Sequence, residues 1–411
     1  MALIVQKFGG TSVGNTDKIK AVVQRVLGYQ RQGNRMVVVL SAMSGVTNKL
    51  VSLAYEMQEQ PDPREMDVLL SSGEQETVSL FAMAVKAAGS DAISFLGDQV
   101  KIRTDTMHTK ARIKSIDTDL INRHLDQGKI VVVAGFQGVT EEDHITTLGR
   151  GGSDTTAVAL AAALKADSCE IFTDVEGVFT TDPNICAAAR KIDRITYDEM
   201  LELASLGAKV LDIRSVGLAK RFKVPLHVRS TFTETEGTWV MEEDKKMESM
   251  LVSGVTYNKN EARITIAKVP DTPGIAARIF TPISEAGIVV DMIIQNTRAG
   301  AMTDMTFTVP RLEHAKALGI VRKVAAEIGA EEVSGSTDIV KVSIVGVGMR
   351  NHSGIASTMF RVLSEEGINI LMISTSEIKV SCVIEEKYAE LAVRALHTTF
   401  GLDKDNPPVP E

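Results

Sequence analysis

Two runs in the first third of the chain, MVVVL at 36–40 and KIVVVAG starting at Lys129, are β-branched and apolar on both faces. A strand with one wet face alternates, so runs of this kind belong in a sheet covered on both sides, the setting of parallel strands. Shorter apolar runs at 2–5, 92–95, 170–173 and 226–228 also read as strands, and helix-period segments at 16–29, 74–88 and 154–164 lie between several of them. This alternation predicts an α/β domain with a mainly parallel sheet sandwiched by helices.

From Glu234 to Ser249 the composition turns polar and strongly charged (ETEGTWVMEEDKKMES), which reads as a linker. Beyond it the chain repeats itself. The segment 274–293 (GIAARIFTPISEAGIVVDMI) matches 354–373 (GIASTMFRVLSEEGINILMI) at a constant offset of 80, with ten of twenty positions identical. Each copy follows a strand-like run and precedes an alternating one, then a helical segment at 312–328 or 387–399. That order of elements predicts two small ferredoxin-like α+β units. The expected division is 1–245, 262–338 and 339–405, with the Pro-rich tail KDNPPVPE frayed.

Composition removes several classes of function. The chain has 411 residues and a formal charge of −8, which argues against a nucleic-acid partner whose affinity rests on phosphate neutralisation. Cys169, Cys186 and Cys382 are far apart, and the seven histidines show neither HxxxH nor HExxH spacing, so no disulfide framework or protein-held metal is expected. No run approaches the roughly 18–20 apolar residues of a membrane span, and the first residues read as a strand rather than a signal peptide. A soluble, cytoplasmic protein is expected.

Four turns are candidates for chemistry, three leaving a predicted strand and one preceding a predicted helix. Lys7-Phe8-Gly9-Gly10-Thr11-Ser12 offers close backbone amides, a following helix N-terminus and a lysine, a combination suited to phosphate. A plain βα turn with an exposed lysine is the alternative, and no GxxxxGK[ST] or strand-borne GxGxxG occurs. Ser41-Ala42-Met43-Ser44-Gly45-Val46-Thr47-Asn48 places small hydroxyl residues at a strand's carboxyl end, although Ser41 reads equally well as an N-cap. In Gly149-Arg150-Gly151-Gly152-Ser153-Asp154, Arg150 can grip a carboxylate, and Asp154 either orders cations or caps the next helix. Thr173-Asp174-Val175-Glu176-Gly177-Val178-Phe179, continuing to Asp182, supplies a ring that could cover a base or simply pack. Lys209 in GAKVL is a second candidate cation, though a lone helical lysine is more often solvated. Glu74 in SSGEQ stands at a predicted helix start, where capping and ammonium binding are both reasonable.

Taken together, KFGGTS, SAMSGVTN, SSGEQ, GRGGSDTTA, TDVEGVFTTDP and GAKVL resemble, in order and approximate spacing, the aspartokinase family, and the duplicated segment resembles that family's paired ACT domains. The resemblance covers essentially the whole chain. It implies an amino-acid-kinase-like sheet followed by two ACT domains. The implied activity is phosphorylation of the β-carboxylate of L-aspartate by ATP, giving 4-phospho-L-aspartate at the entry to lysine, threonine, methionine and diaminopimelate synthesis. Mg²⁺ is expected to be held mainly through the ATP phosphates.

The resemblance also assigns roles. Lys7, Asp154 and Lys209 are implied as catalytic. Phe8, Gly9, Gly10, Ser41, Thr173, Asp174, Phe179 and Asp182 join Lys7 and Lys209 around ATP. Thr47, Glu74, Arg150, Gly151, Gly152 and Ser153 are implied around aspartate, with Arg150 on the α-carboxylate and Glu74 on the ammonium. Some family members have a tyrosine at the positions of Phe8 and Thr155. In the repeats, Asp271, Gly274, Ile275, Ala276, Val289, Val290, Asp291 and Gln295 resemble an effector pocket. Asn351, Ile355, Ala356, Asn369, Ile370, Ser376 and Glu377 occupy related places in the second copy, and a plain dimerisation platform is the alternative reading. Lysine and threonine are the implied effectors. A homodimer is implied, or an assembly with a shorter regulatory subunit started internally near Met241, Met247 or Met250.

Overall fold

The computed structural model describes residues 1–207, 210–243, 251–298, 301–352 and 354–404. They form two compact units, one of residues 1–179 and 191–247, the other of residues 180–190 and 248–411. Lys209, Met247 and Met250 lie outside the described residues.

The first unit opens with β1 (Leu3–Phe8), α1 (Thr16–Arg31), β2 (Arg35–Leu40), α2 (Val46–Met57), α3 (Pro63–Ala87) and β3 (Ala92–Phe95). Next come β4 (Arg103–Thr104), β5 (Ile113–Ser115), α4 (Asp119–Asp126), β6 (Ile130–Ala134), β7 (Gln137–Val139) and β8 (Ile145–Thr147). It closes with α5 (Gly152–Leu164), β9 (Ser168–Thr173), β10 (Arg194–Thr196), α6 (Tyr197–Ser205), α7 (Ile213–Phe222), β11 (Leu226–Ser230) and β12 (Thr238–Met241). Eight strands make the main sheet in the order β10-β12-β11-β9-β1-β2-β6-β3, all pairs parallel except β11–β12. The runs that are apolar on both faces behave as expected. Met36, Val38 and Leu40 pack with residues of α1 and α3 in one cluster, while Val37 and Val39, on the other face by alternation, are also fully buried.

β1 runs farther than the apolar run 2–5 suggested, reaching Phe8. Lys7 and Phe8 therefore obey strand alternation. The Phe8 ring enters the α1/α3 core and stacks on Phe172, 4.6 Å between centroids and 9° between planes. Phe8 was expected around ATP; its ring is core instead, because it faces the opposite side of the sheet from Lys7.

α3 also begins earlier than the sequence pattern indicated, at Pro63 instead of Glu74. Asp62 caps it, accepting from the amides of Arg64 and Glu65. Glu74 is thus a mid-helix residue and caps nothing. Gly73, just before it, is a contact point: a β-carbon there would sit 2.8 Å from the Ala42 β-carbon and 3.2 Å from a Val46 methyl.

The second unit contains β13 (Gly254–Asn258), β14 (Ala262–Pro270), α8 (Ile275–Glu285), β15 (Ile293–Arg298), β16 (Met302–Val309), α9 (His314–Ile328) and β17 (Glu332–Ser336). It continues with β18 (Ile339–Val345), α10 (Ile355–Glu365), β19 (Met372–Ser376), β20 (Lys379–Glu385) and α11 (Ala389–Thr399). The repeat yields two antiparallel four-stranded sheets, β15-β16-β14-β17 and β13-β18-β20-β19. β13, which precedes the first copy in sequence, pairs with β18 of the second. Residues 180–190, which the 1–245 division includes in the first domain, pack in this unit as well. Val255 N donates to Thr180 O, and the Thr180 hydroxyl meets buried His397 Nε2 at 2.9 Å.

Removing the Phe8 ring should leave a cavity beneath the central strand. Phe8→Ala is expected to cost about 3–5 kcal/mol of unfolding free energy in chemical denaturation. A loss below about 1 kcal/mol, no more than a tolerated core swap, would contradict the stacked core position.

Candidate functional site

In a parallel sheet, turns at the strands' carboxyl ends collect on one edge. Here they are tied to each other directly. Ser41 N donates to Phe8 O (3.2 Å), Gly135 N to Leu40 O (3.0 Å) and Thr231 N to Thr173 O (2.9 Å). A β-carbon at Gly10 would lie 2.8 Å from Ala42 O, so the KFGG turn and the 41–45 turn touch. α2 starts at Val46 behind Gly45, so Ser41 does not cap it, and Thr47 stands in its first turn.

Lys7 projects from β1 toward the start of α5, where its Nζ lies 2.6 Å from Asp154 Oδ1. The two side chains are only 12% and 11% exposed, and Nζ sits 3.4 Å from where a Gly9 β-carbon would be. Asp154 is the third residue of α5, whose N-cap is Gly151, so pairing Lys7 rather than capping is its role. A cation fixed beside the glycine turn and the first turn of a helix makes this corner attractive to phosphate.

Glu74 lies across the same edge and is buried. One carboxylate oxygen, Oε1, accepts from Ala42 N at 3.0 Å, and Oε2 has no hydrogen-bond partner. Burial pushes its pKa up to about 7. A buried carboxyl with an open oxygen awaits a donor, and a cationic one would bring it back to the ionised form.

The 148–152 loop presents Arg150, which is exposed. The loop is clamped through its backbone, since Arg214 donates to Leu148 O and to Arg150 O, both at 2.6 Å. Gly151 has φ +70, and a β-carbon on it would fall 2.3 Å from Asp212 Oδ2, so no other residue fits. Ser153 Oγ lies against Gly135, where a β-carbon would be 2.7 Å away. Arg214 and Asp212 were not expected from the sequence, because an Arg–Asp pair near a helix start looks like an ordinary surface pair.

On the far side of β1, exposed Asp174 accepts from the Thr173 hydroxyl (3.2 Å), and half-buried Phe179 bridges to Lys191. Asp182 belongs to the 180–190 segment of the second unit, where it accepts from Asn184 N (2.9 Å) and the Tyr257 hydroxyl (3.4 Å).

The effector candidates fall into three groups. Ile275 and Ile355 are core residues of the two repeats. Asp271, Gly274, Ala276, Val289, Gln295, Asn369, Ser376 and Glu377 are exposed, and Val290, Ala356 and Ile370 half-buried. Asp291 pairs with Lys341, which also binds Glu261 at 2.8 Å. Burial opposes the Lys341 ammonium, and the two carboxylates more than offset it, raising its pKa. The side chain of Asn351 lies outside the described residues.

Among the described residues no helix is long and apolar enough to cross a membrane, and no cluster of three or more His, Cys, Asp or Glu could hold a metal. The three cysteines are free and buried.

Sequence and structure comparisons agree with this geometry. Residues 2–230 match the amino acid kinase family, and residues 263–329 and 342–400 each match an ACT domain. The chain is 58% identical over 404 residues to "Aspartate kinase Ask_LysC" of Stutzerimonas stutzeri, covering 98% of each chain. It is 49% identical to "Aspartokinase 2" of Bacillus subtilis, covering 98% of this chain and 99% of that one. Among solved structures, E. coli aspartokinase III in complex with aspartate and ADP superposes with a TM-score of 0.80 at 27% identity, covering 96% of this chain and 99% of that one. The same enzyme in complex with lysine and aspartate gives 0.76. The fold and its corner of glycine turns define an amino acid kinase with ACT domains. The chain belongs to the aspartate kinases of that family.

Since Gly73 sets the distance between α3 and the 41–46 turn, Gly73→Ala should push Ala42 N away from Glu74. The expected result is at least a tenfold rise in KM for aspartate, the scale that an ångström of misplacement produces. Unchanged aspartate saturation would show that this spacing does not matter.

Proposed function

We propose that Lys7, held by Asp154, is the cation that meets the phosphoryl group in transit from ATP to the aspartate β-carboxylate. The single observation that carries this reading is the 2.6 Å Lys7–Asp154 pair beside the Gly9-Gly10 turn. The nucleophile is already ionised, so the reaction needs positioning and charge neutralisation rather than a base. A β-carboxylate oxygen attacks the γ-phosphorus, the bond to the β,γ-bridging oxygen breaks, and ADP leaves. The Gly10 amide covers phosphate oxygens, joined by that of Gly9 on leaving Phe172 O (3.4 Å), with Ser41 close to the transferred group. Thr173, Asp174, Phe179 and Lys209 serve the nucleotide side. Asp154 is engaged by Lys7, which favours Mg²⁺ carried on the phosphates, where it would neutralise their charge.

Aspartate is held by Arg150 at its α-carboxylate and by the open oxygen of Glu74 at its ammonium group, with Thr47, Gly151, Gly152 and Ser153 completing the cradle. The open Oε2 of Glu74 supports this reading, because a buried acceptor without a donor is costly until one arrives. The product, 4-phospho-L-aspartate, feeds lysine, threonine, methionine and diaminopimelate synthesis in the cytoplasm.

The two ACT domains are proposed to bind lysine, threonine or both, using residues of Asp271–Ala276 and Val289–Gln295 with Asn351, Ile355, Ala356, Asn369, Ile370, Ser376 and Glu377. Support comes from the E. coli enzyme solved with lysine. Assembly through these domains, with a second copy or with a shorter subunit of the same reading frame, would complete such pockets.

Two measurements test the proposal. Hydroxamate formation from aspartate and ATP should fall about 10²–10³-fold in kcat for Lys7→Ala, the loss of one preorganised charge. Near-normal kcat would remove Lys7 from the chemistry. The ammonium group needs ionised Glu74, so aspartate affinity should weaken as pH falls through about 7. The expected change is about tenfold between pH 8 and pH 6, with little change in Glu74→Gln. A flat wild-type binding profile by calorimetry would overturn the Glu74 role.

A further inference from the structure

α3 carries a second buried acid that the proposed chemistry does not use. Asp67 lies seven residues before Glu74, two turns away on the same face, and is completely buried. Its carboxylate is saturated. Oδ1 takes the Thr147 hydroxyl at 2.5 Å, Oδ2 takes His108 Nδ1 at 2.7 Å, and both oxygens lie 3.0 Å from Thr109 N.

These donors lead to the Arg150 loop by two routes. Thr147 ends β8, three residues before Arg150. Thr109 has φ +66, a left-handed conformation that is unfavourable for a β-branched residue and persists only when its surroundings impose it. Its amide is held by Asp67, and its carbonyl oxygen would lie 3.0 Å from a β-carbon on Gly149. Ala111 N donates to Thr147 O at 2.9 Å, closing the strap. Arg214 also holds the loop, through the Leu148 and Arg150 carbonyls. Thr109 O abuts Gly149 and Arg214 grips Arg150 O, so the backbone that carries Arg150 is held by both.

We propose that Asp67 is a positioning residue for the substrate-side arginine: through Thr147 and the strained Thr109 strap it fixes where Arg150 meets the α-carboxylate. The inference rests on the reading of Arg150 as that anchor. An amide at position 67 would place a donor against at least one of three existing donors, so the strap would shift while the shape of the core is kept.

The test is steady-state kinetics on the full chain with aspartate and ATP varied separately, for Asp67→Asn, Arg150→Ala and the double variant. For Asp67→Asn we expect a rise of about 10–100-fold in KM for aspartate, with kcat and KM for ATP within about threefold. The double variant should show no more aspartate loss than Arg150→Ala alone, because Asp67 acts through Arg150. If Asp67→Asn does not fold, Thr147→Val and Thr147→Ser replace it. The valine should raise KM for aspartate, and the serine, which keeps the hydroxyl, should restore it. If KM for aspartate is normal in Asp67→Asn or Thr147→Val while Arg150→Ala raises it, the inference is overturned and the Arg150 reading stands. A normal KM in Arg150→Ala overturns both. Additive losses in the double variant also overturn the positioning role.

Discussion

The contact between Lys7 and Asp154 sets the conditions for everything around it. A strand buried between two helix layers can carry a charged side chain only if that charge is paired, and removing one partner of such a pair costs about 3–5 kcal/mol. Asp154 supplies the partner from the first turn of α5, so the strand end, the glycine turn and the helix start are locked at one corner. The same pair keeps the ammonium fixed before any anion arrives. In a preorganised site of this kind, little reorganisation remains for the moment of reaction. The formal charge of −8 is no obstacle to the proposed anionic substrates, because an anion responds to the local field of nearby cations, here Lys7 and Arg150, rather than to the total.

α3 supplies the opposite wall, and it does so with a buried polar stripe. Asp67, Ser71, Glu74 and Thr77 recur at spacings of four and three, all nearly inaccessible. Ser71 O accepts from Gln137, Ala42 N meets Glu74, and the strap at 108–109 meets Asp67. Buried polar groups are tolerated where every one finds a partner. Within this stripe of α3 the exception is one oxygen of Glu74, and it coincides with the place where a substrate ammonium is proposed.

The second unit follows different rules. Its duplicated sheets bury their apolar faces under helices, and the two repeats are tied together by β13 and by Lys341, which bridges Glu261 and Asp291. The 180–190 segment belongs to this unit although its flanking strands belong to the first. Thr180 and Cys186 approach His397, whose pKa burial lowers, so the segment is docked by a neutral histidine.

The sequence by itself determined the layered α/β class, the duplication and the motifs at the strand ends, because periodicity and turn residues act locally. Runs such as MVVVL have no amphipathic alternative to burial on both faces. What it misjudged were places where a residue's reason lies far away in the chain. Glu74 read as standing at a helix start, whereas α3 runs from Pro63 through Gly73, whose partners Ala42 and Val46 are some thirty residues earlier. The Phe8 ring, which the resemblance puts around ATP, takes a face decided by strand length, set by pairing with β2 and β9. Asp67 and Arg214 carried no local signal at all. Only tertiary structure could bring Asp67 to Thr109 and Thr147, and Arg214 to the Arg150 carbonyl, since hydrogen bonds across 42 to 80 residues are fixed by packing and not by neighbours in sequence.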